Sequence, residues 1–339
     1  MAAPIDESVL NALRGVTSAH TRLPKPLLIK IYVASLKQEF NQERRMLLEL
    51  VGPELQSLYD DRQIELEFVD MHFGTGDLEV HQLERDPYLI HDYLHEIDTC
   101  HAHTKSVFFM VLVGDGIGRQ LLPTKIDEDI FSAVLADQQT SADHEAMLVK
   151  WYERDASQTQ RQLKQDYRLM NVDAWLAESQ RMQSFLEQAF QSLLQGSGAS
   201  GRSPDFMERV QLLRRTQIER EVSQAMALTS EKILAVFRER AAQCSKGDVE
   251  AAERLRKIKD ELTMNLSTDN HTTLVVPGSA ASEAIDPDNE DHESYLSKFK
   301  NKVTDKLRLL IEAHITNDPD VIKGRKKTVQ VSWIATLWH

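Results

Sequence analysis

Cysteine is almost absent: only Cys100 and Cys244 occur in 339 residues. Two thiols make no disulfide framework, and so low a count fits a reducing compartment. Long hydrophobic runs are missing too. No uncharged apolar stretch approaches the ~18 residues of a membrane-spanning helix, and the longest, Val107 to Val113, is the size of a strand. The opening residues Met1 to Glu7 have neither the basic nor the apolar region of a secretory signal. Positive charge is in deficit, with 40 Lys and Arg against 53 Asp and Glu, a net of −13. Such a surface repels nucleic acid and anionic lipid, so neither is an expected partner. No Gly-x-x-x-x-Gly-Lys-Ser/Thr run is present to cradle phosphates, and no propeller repeat recurs.

What remains is ordinary for a globular protein: 41% hydrophobic and 27% charged residues. At ~150 residues per domain, the length fits about two domains or one with appendages. Residues 1–26 read as a leader closed by Leu23-Pro24-Lys25-Pro26. Leu27 to Ser35 is short and nearly continuously apolar, as expected of a strand buried on both faces of a parallel sheet. A helix over Lys37–Tyr59 follows, with Phe40, Leu47, Leu48, Leu50 and Val51 on its apolar side, Glu39, Glu43, Arg44 and Arg45 on the other, and a kink at Pro53. Ile64–Asp70, Ser106–Val113, Ile233–Phe237 and Thr272–Val276 read as further strands, and Pro87 to Cys100 as a helix after Asp86. The segment Asp127–Gln195 has a helical pattern, and one long helix is expected from Pro204 to about Leu228.

This alternation implies an α/β domain, doubly wound around a mostly parallel sheet, over residues 27–278, with a large helical insertion at 127–228. Residues 279–292 read as an acidic linker and 293–318 as a further amphipathic helix. Residues 319–339 change character, from the basic run Lys323–Lys327 to an apolar tail, and read as a hinge and an atypical ending.

Several runs together resemble the TIR-like domain of unknown function that precedes NACHT NTPase modules in NACHT- and WD-repeat proteins. They are Val33-Ala34-Ser35 with Phe40, Glu43-Arg44 and Leu47; Glu67 to Gly74; Leu94 to Cys100; Phe108 to Gly114; Thr216 to Val222; and Val236-Phe237-Arg238. The resemblance spans roughly residues 27–315. It implies a TIR/flavodoxin-like sheet and a cytosolic signalling scaffold whose N-terminal region contacts other proteins or a second copy of itself. The NACHT and WD parts are missing from this chain, and the helix 293–318 reads as leading away toward the absent NACHT module. Two places depart from the family pattern. His72-Phe73 stands where Arg and Trp are usual, and Asp115-Gly116-Ile117-Gly118-Arg119 replaces an acidic-Arg-Tyr-Gly-Trp run.

Ligands of such sheets sit beyond the carboxyl ends of the strands. Here those ends bring Ser35, Asp70, His72, Asp115 and Arg119 into one candidate cleft. A TIR-like sheet also implies NAD cleavage as an alternative to a non-catalytic module. The glutamate motif of such enzymes is not found after Val113, which leaves Glu128, and Glu96 on the preceding helix, as candidate carboxylates. The commoner roles of Ser35 and Asp70 are capping ones, a helix for the serine and a turn for the aspartate. The Gly114, Gly116 and Gly118 spacing is not a dinucleotide fingerprint and reads as a tight loop. His91 and His95, at i and i+4 beside Cys100, His101 and His103, are the weak metal candidates; surface and helix-end histidines are the plainer account. No cofactor is expected, NAD apart under the alternative.

Overall fold

A computed structural model describes residues 27–62, 64–73, 82–137, 140–155, 159–195, 201–240, 249–277 and 285–316. The leader, residues 279–284 of the linker, Cys244 and the tail beyond 316 therefore lie outside the described residues.

The elements in order are β1 (Leu27–Ala34), α1 (Asn41–Met46), α2 (Gly52–Tyr59), β2 (Ile64–Val69), α3 (Gln82–Arg85), α4 (Leu89–His103) and β3 (Phe109–Val113). An inserted unit follows: β4 (Lys125–Asp127), α5 (Glu128–Leu135), α6 (Ala142–Trp151), β5 (Tyr152–Arg154), β6 (Gln160–Leu163), α7 (Val172–Leu194) and α8 (Pro204–Leu213). The chain then returns through α9 (Gln217–Leu228), β7 (Ile233–Arg240), α10 (Val249–Asn265), β8 (His271–Val276) and α11 (Glu290–Ile315).

Five strands form a parallel sheet in the order β2-β1-β3-β7-β8. Period-two alternation sends Ile29, Ile31 and Val33 to one face and Tyr32 and Ala34 to the other. Both faces are apolar because both are covered. Phe40, Leu47, Val51 and Leu55 pack on the first face together with α11, and Ile97, Ile218, Val222 and Leu262 of α4, α9 and α10 pack on the second. The middle strand β3 is buried throughout and β1 and β7 over most of their length, while the edge strands β2 and β8 mix buried with half-buried or exposed residues. The chain is thus an α/β protein built on a parallel sheet with helices on both faces.

Four expectations need correction. The helix 293–318 does not lead away from the domain. It starts at Glu290, where Asn289 accepts hydrogen bonds from Asp291 N and His292 N, and its stripe of Tyr295, Phe299, Val303, Leu307 and Ile311 forms a layer of the sheet's core. The end of the acidic linker is likewise structural, since Ile285 is buried in that core. The insertion is not purely helical. Its three short strands make an antiparallel sheet, β4-β6-β5, and Leu122 to Val210 form a separate hydrophobic core. The long helix expected from Pro204 to Leu228 breaks between Leu213 and Gln217, where Glu219 accepts from Thr216 N. Its first half belongs to the insertion's core and its second half to the sheet. The kink at Pro53 takes the form of a π-helical turn over Leu47–Val51.

Glu43 and Arg44 also turn inward, not outward. Arg238 on β7 is 1% exposed, and its guanidinium reaches Glu43 Oε1 at 2.8 Å, Glu39 Oε1 at 2.7 Å and the Glu39 carbonyl at 2.8 Å. The Tyr295 hydroxyl donates to Glu43 Oε1 at 2.9 Å, and the Phe40 ring lies 4.3 Å beneath the guanidinium. This cluster joins β7, α1 and α11. Replacing Arg238 by Met strands the fully buried Glu43 carboxylate, and loss of one partner of a buried pair costs roughly 3–5 kcal/mol. Arg238→Met is therefore expected to lower the denaturant midpoint sharply, and Glu43→Gln added to it should recover part of the loss. Additive losses in the double variant would contradict the pairing.

Candidate functional site

Because β2 and β3 flank β1 on opposite sides, the chain leaves β1 and β3 in opposite directions and opens a crevice beyond their carboxyl ends. One wall is the exit from β1, Leu36 to Glu39; another is the exit from β3, Gly118 to Leu122. Leu83, Glu84 and Pro87 close one side, and Ser179, Gln180 and Gln183 of α7, with Gln217 of α9, close the other. The result is a cavity of about 560 Å³ between the sheet and the inserted unit.

Its floor is organised by Glu39. The two carboxylate oxygens accept from Asp115 N at 2.6 Å and Gly116 N at 3.2 Å, while Arg238 holds Oε1 from below. Burial raises the Glu39 pKa, against the pull of Arg238 and the two amides. The glycines serve this contact. A Cβ at Gly114 would lie 1.8 Å from Glu39 Oε1, and Gly118 takes a φ of +78° with Leu36 against it. The loop's amides are thus turned toward an anion, and the anion is the protein's own carboxylate.

The expected site residues separate. Arg119 lines the cavity, exposed on its rim and 3.8 Å from Glu84. Asp115 is drawn away to Arg240 at 2.9 Å. Ser35 is buried, but it caps no helix, since α1 begins only at Asn41, and its Oγ has no hydrogen-bond partner. Asp70 pairs with Arg44 at 3.2 Å and accepts from His72 N at 2.9 Å, the turn-capping role, with its pKa raised by burial against Arg44. His72 is buried edge-on to Tyr93, with Nε2 3.4 Å from Gln217 Nε2.

Both carboxylates considered for catalysis sit elsewhere. Glu96 binds Lys30 at 2.5 Å, midway along β1. Glu128 opens α5 in the inserted unit, where a bidentate bond from Arg161 and a bond from Arg154 hold its pKa below the usual carboxylate range. His91 Nε2 lies 3.0 Å from Thr124 Oγ1, and burial lowers its pKa. Among the described residues no three metal-ligating side chains converge. Cys100 is buried, its thiol pushed up to about 12 chiefly by burial. No helix of the described residues is long and apolar enough to cross a membrane.

Sequence reasoning missed Glu39, Arg238, Gln217 and Glu221. A signal for the first two was present: an arginine at the end of an apolar strand, Val236-Phe237-Arg238, needs carboxylates, and Glu39 and Glu43 stand four apart. Glu221 gave none. It is fully buried on α9, where it accepts from Tyr32 OH at 2.7 Å and Gln217 Nε2 at 2.9 Å, while Oε2 has no partner. No cation faces it directly. Burial lifts its pKa to about 7, with Asp70 adding to the rise and the two hydrogen bonds opposing it.

A comparison of the chain with protein-family models, with curated proteins and with solved structures finds no match in any of the three.

Glu221 gives a pH prediction with a definite sign. A carboxyl raised in the folded state favours folding while protonated. Its contribution is whole below the unfolded pKa near ~4.5 and is lost as pH climbs through about 7. A shift of this size corresponds to roughly 3 kcal/mol. Glu221→Gln should unfold at higher temperature than the parent at pH 8 and show no such advantage at pH 4.5. Equal melting temperatures at both pH values would rule out a buried, uncompensated Glu221.

Proposed function

We propose that this chain is a regulatory, protein-interacting module of a cytosolic scaffold and is not itself a hydrolase, with a doubly wound, TIR/flavodoxin-like sheet as its framework. One observation carries the reading. The carboxylates at the strand ends are engaged: Glu39 by an arginine and two backbone amides, Asp70 by Arg44 and Asp115 by Arg240. A general base or nucleophile needs a free carboxylate within reach of substrate. Glu39 meets the strand ends without that freedom, and Glu96 and Glu128 have the wrong positions. The resemblance to the N-terminal regions of NACHT- and WD-repeat proteins points the same way.

The inserted unit is the partner-facing part of this proposal. It has its own core, so contacts made on its surface leave the sheet intact. Leu169 is 91% exposed there, and Val172 three residues later is exposed as well. The acidic net charge favours a protein partner over nucleic acid.

The alternative, NAD cleavage, is tested directly. The purified chain incubated with NAD should release no nicotinamide above the buffer control, while light scattering shows a defined mass. Release that Glu39→Gln abolishes would make the protein an enzyme and overturn the module reading.

A further inference from the structure

The cavity between sheet and insertion contains one group that the fold leaves unanswered. Gln120 is only 3% exposed, and both ends of its side-chain amide, Nε2 and Oε1, are buried without a hydrogen-bond partner among the described residues. Buried amides in native proteins are nearly always paired, because the bonds to water have been given up. Nor is the residue loose. Its backbone bridges to Thr216, and its carbonyl accepts from Gln183 Nε2 of the inserted unit. Two other glutamines of the cavity wall are engaged, Gln183 by that bond and Gln217 by Glu221. Gln120 lines the cavity.

We infer that the cavity binds a small, uncharged ligand through Gln120, and that the ligand presents a hydrogen-bond donor beside an acceptor. A fixed glutamine amide offers one N–H and one carbonyl side by side, and the complement is an amide-like edge. Adenine has such an edge, which glutamine pairs with bidentately; a primary carboxamide is a second source of the same chemistry. The volume suits a ligand of nucleoside size or smaller. Leu36, Leu83, Pro87 and Leu122 supply apolar walls for a flat ring.

The ligand is neutral because the place for an anion is filled. The amides of Asp115 and Gly116 already bind Glu39, and a phosphate brought there meets a carboxylate. This inference concerns binding alone and stands apart from the module reading: failure to bind leaves that reading untouched, and binding without turnover agrees with it.

The test is calorimetric titration of the full chain with adenosine, AMP and nicotinamide, repeated on Gln120→Leu. At least one neutral probe should bind, at least tenfold more weakly to Gln120→Leu. The leucine variant should melt no lower than the parent, since it removes an unpaired buried amide, so loss of binding is separated from loss of fold. Adenosine as the tighter neutral probe assigns a purine, nicotinamide a carboxamide. Binding of neither up to millimolar concentration, equal binding to Gln120→Leu, or AMP binding tenfold more tightly than adenosine would each overturn the inference.

Discussion

The buried guanidinium of Arg238 is the constraint on which the site depends. A charge removed from water needs partners, and the two terminal nitrogens of Arg238 find them on the first turn of α1, on Glu39 ahead of it and, through Glu43, on Tyr295 of α11. These partners lie far apart in sequence. Their convergence sets the angle at which α1 leaves β1 and brings α11 onto the same face. The direction of the Glu39 carboxylate follows, because Arg238 holds Oε1 while the β3 exit supplies amides to both oxygens. Gly114 is required at that point because any side chain would occupy the space of the carboxylate.

The strands were the most legible part of the sequence. Their apolar runs are nearly continuous because helices cover both faces of the sheet, and no charge pattern obscures them. β7 runs three residues beyond the expected Phe237, since Arg238 breaks the apolar run while remaining in the ladder. The inserted unit was poorly legible for the opposite reason. Its strands are three or four residues long, and Gln160-Arg161-Gln162 of β6 reads as exposed polar chain. Arg161 contributes by lying over Phe131 and bonding Glu128, which no period-two pattern reports. Helical periodicity likewise put Glu43 and Arg44 on a solvent face, because charge is normally solvated, and here both are compensated inside.

The candidate site was legible as a place and not as a set of residues. A cavity does lie beyond the carboxyl ends of β1 and β3, where strand order alone opens a crevice. Which side chains enter it depends on the insertion. Gln183 and Ser179 come from α7 and Gln217 from α9, all from chain that follows β3. Asp115, adjacent in sequence to the loop glycines, is instead drawn to Arg240 on β7. The cavity thus combines chain that directly leaves β1 and β3 with residues about 60 to 100 positions later.

Glu39 and Glu221 show how differently the same group can be held. Glu39 has an arginine and two amides, and Arg238 opposes the effect of its burial. Glu221 has a tyrosine and a glutamine, which stabilise its charge far less than a cation would, and burial prevails. Gln217 ties the second carboxylate to the cavity wall: it lines the cavity and donates to Glu221. The proton on Glu221 and the orientation of one wall of the cavity therefore meet in a single amide. A change at either end acts through Gln217, on a helix whose apolar stripe of Ile218, Val222 and Ala225 is packed into the core of the sheet.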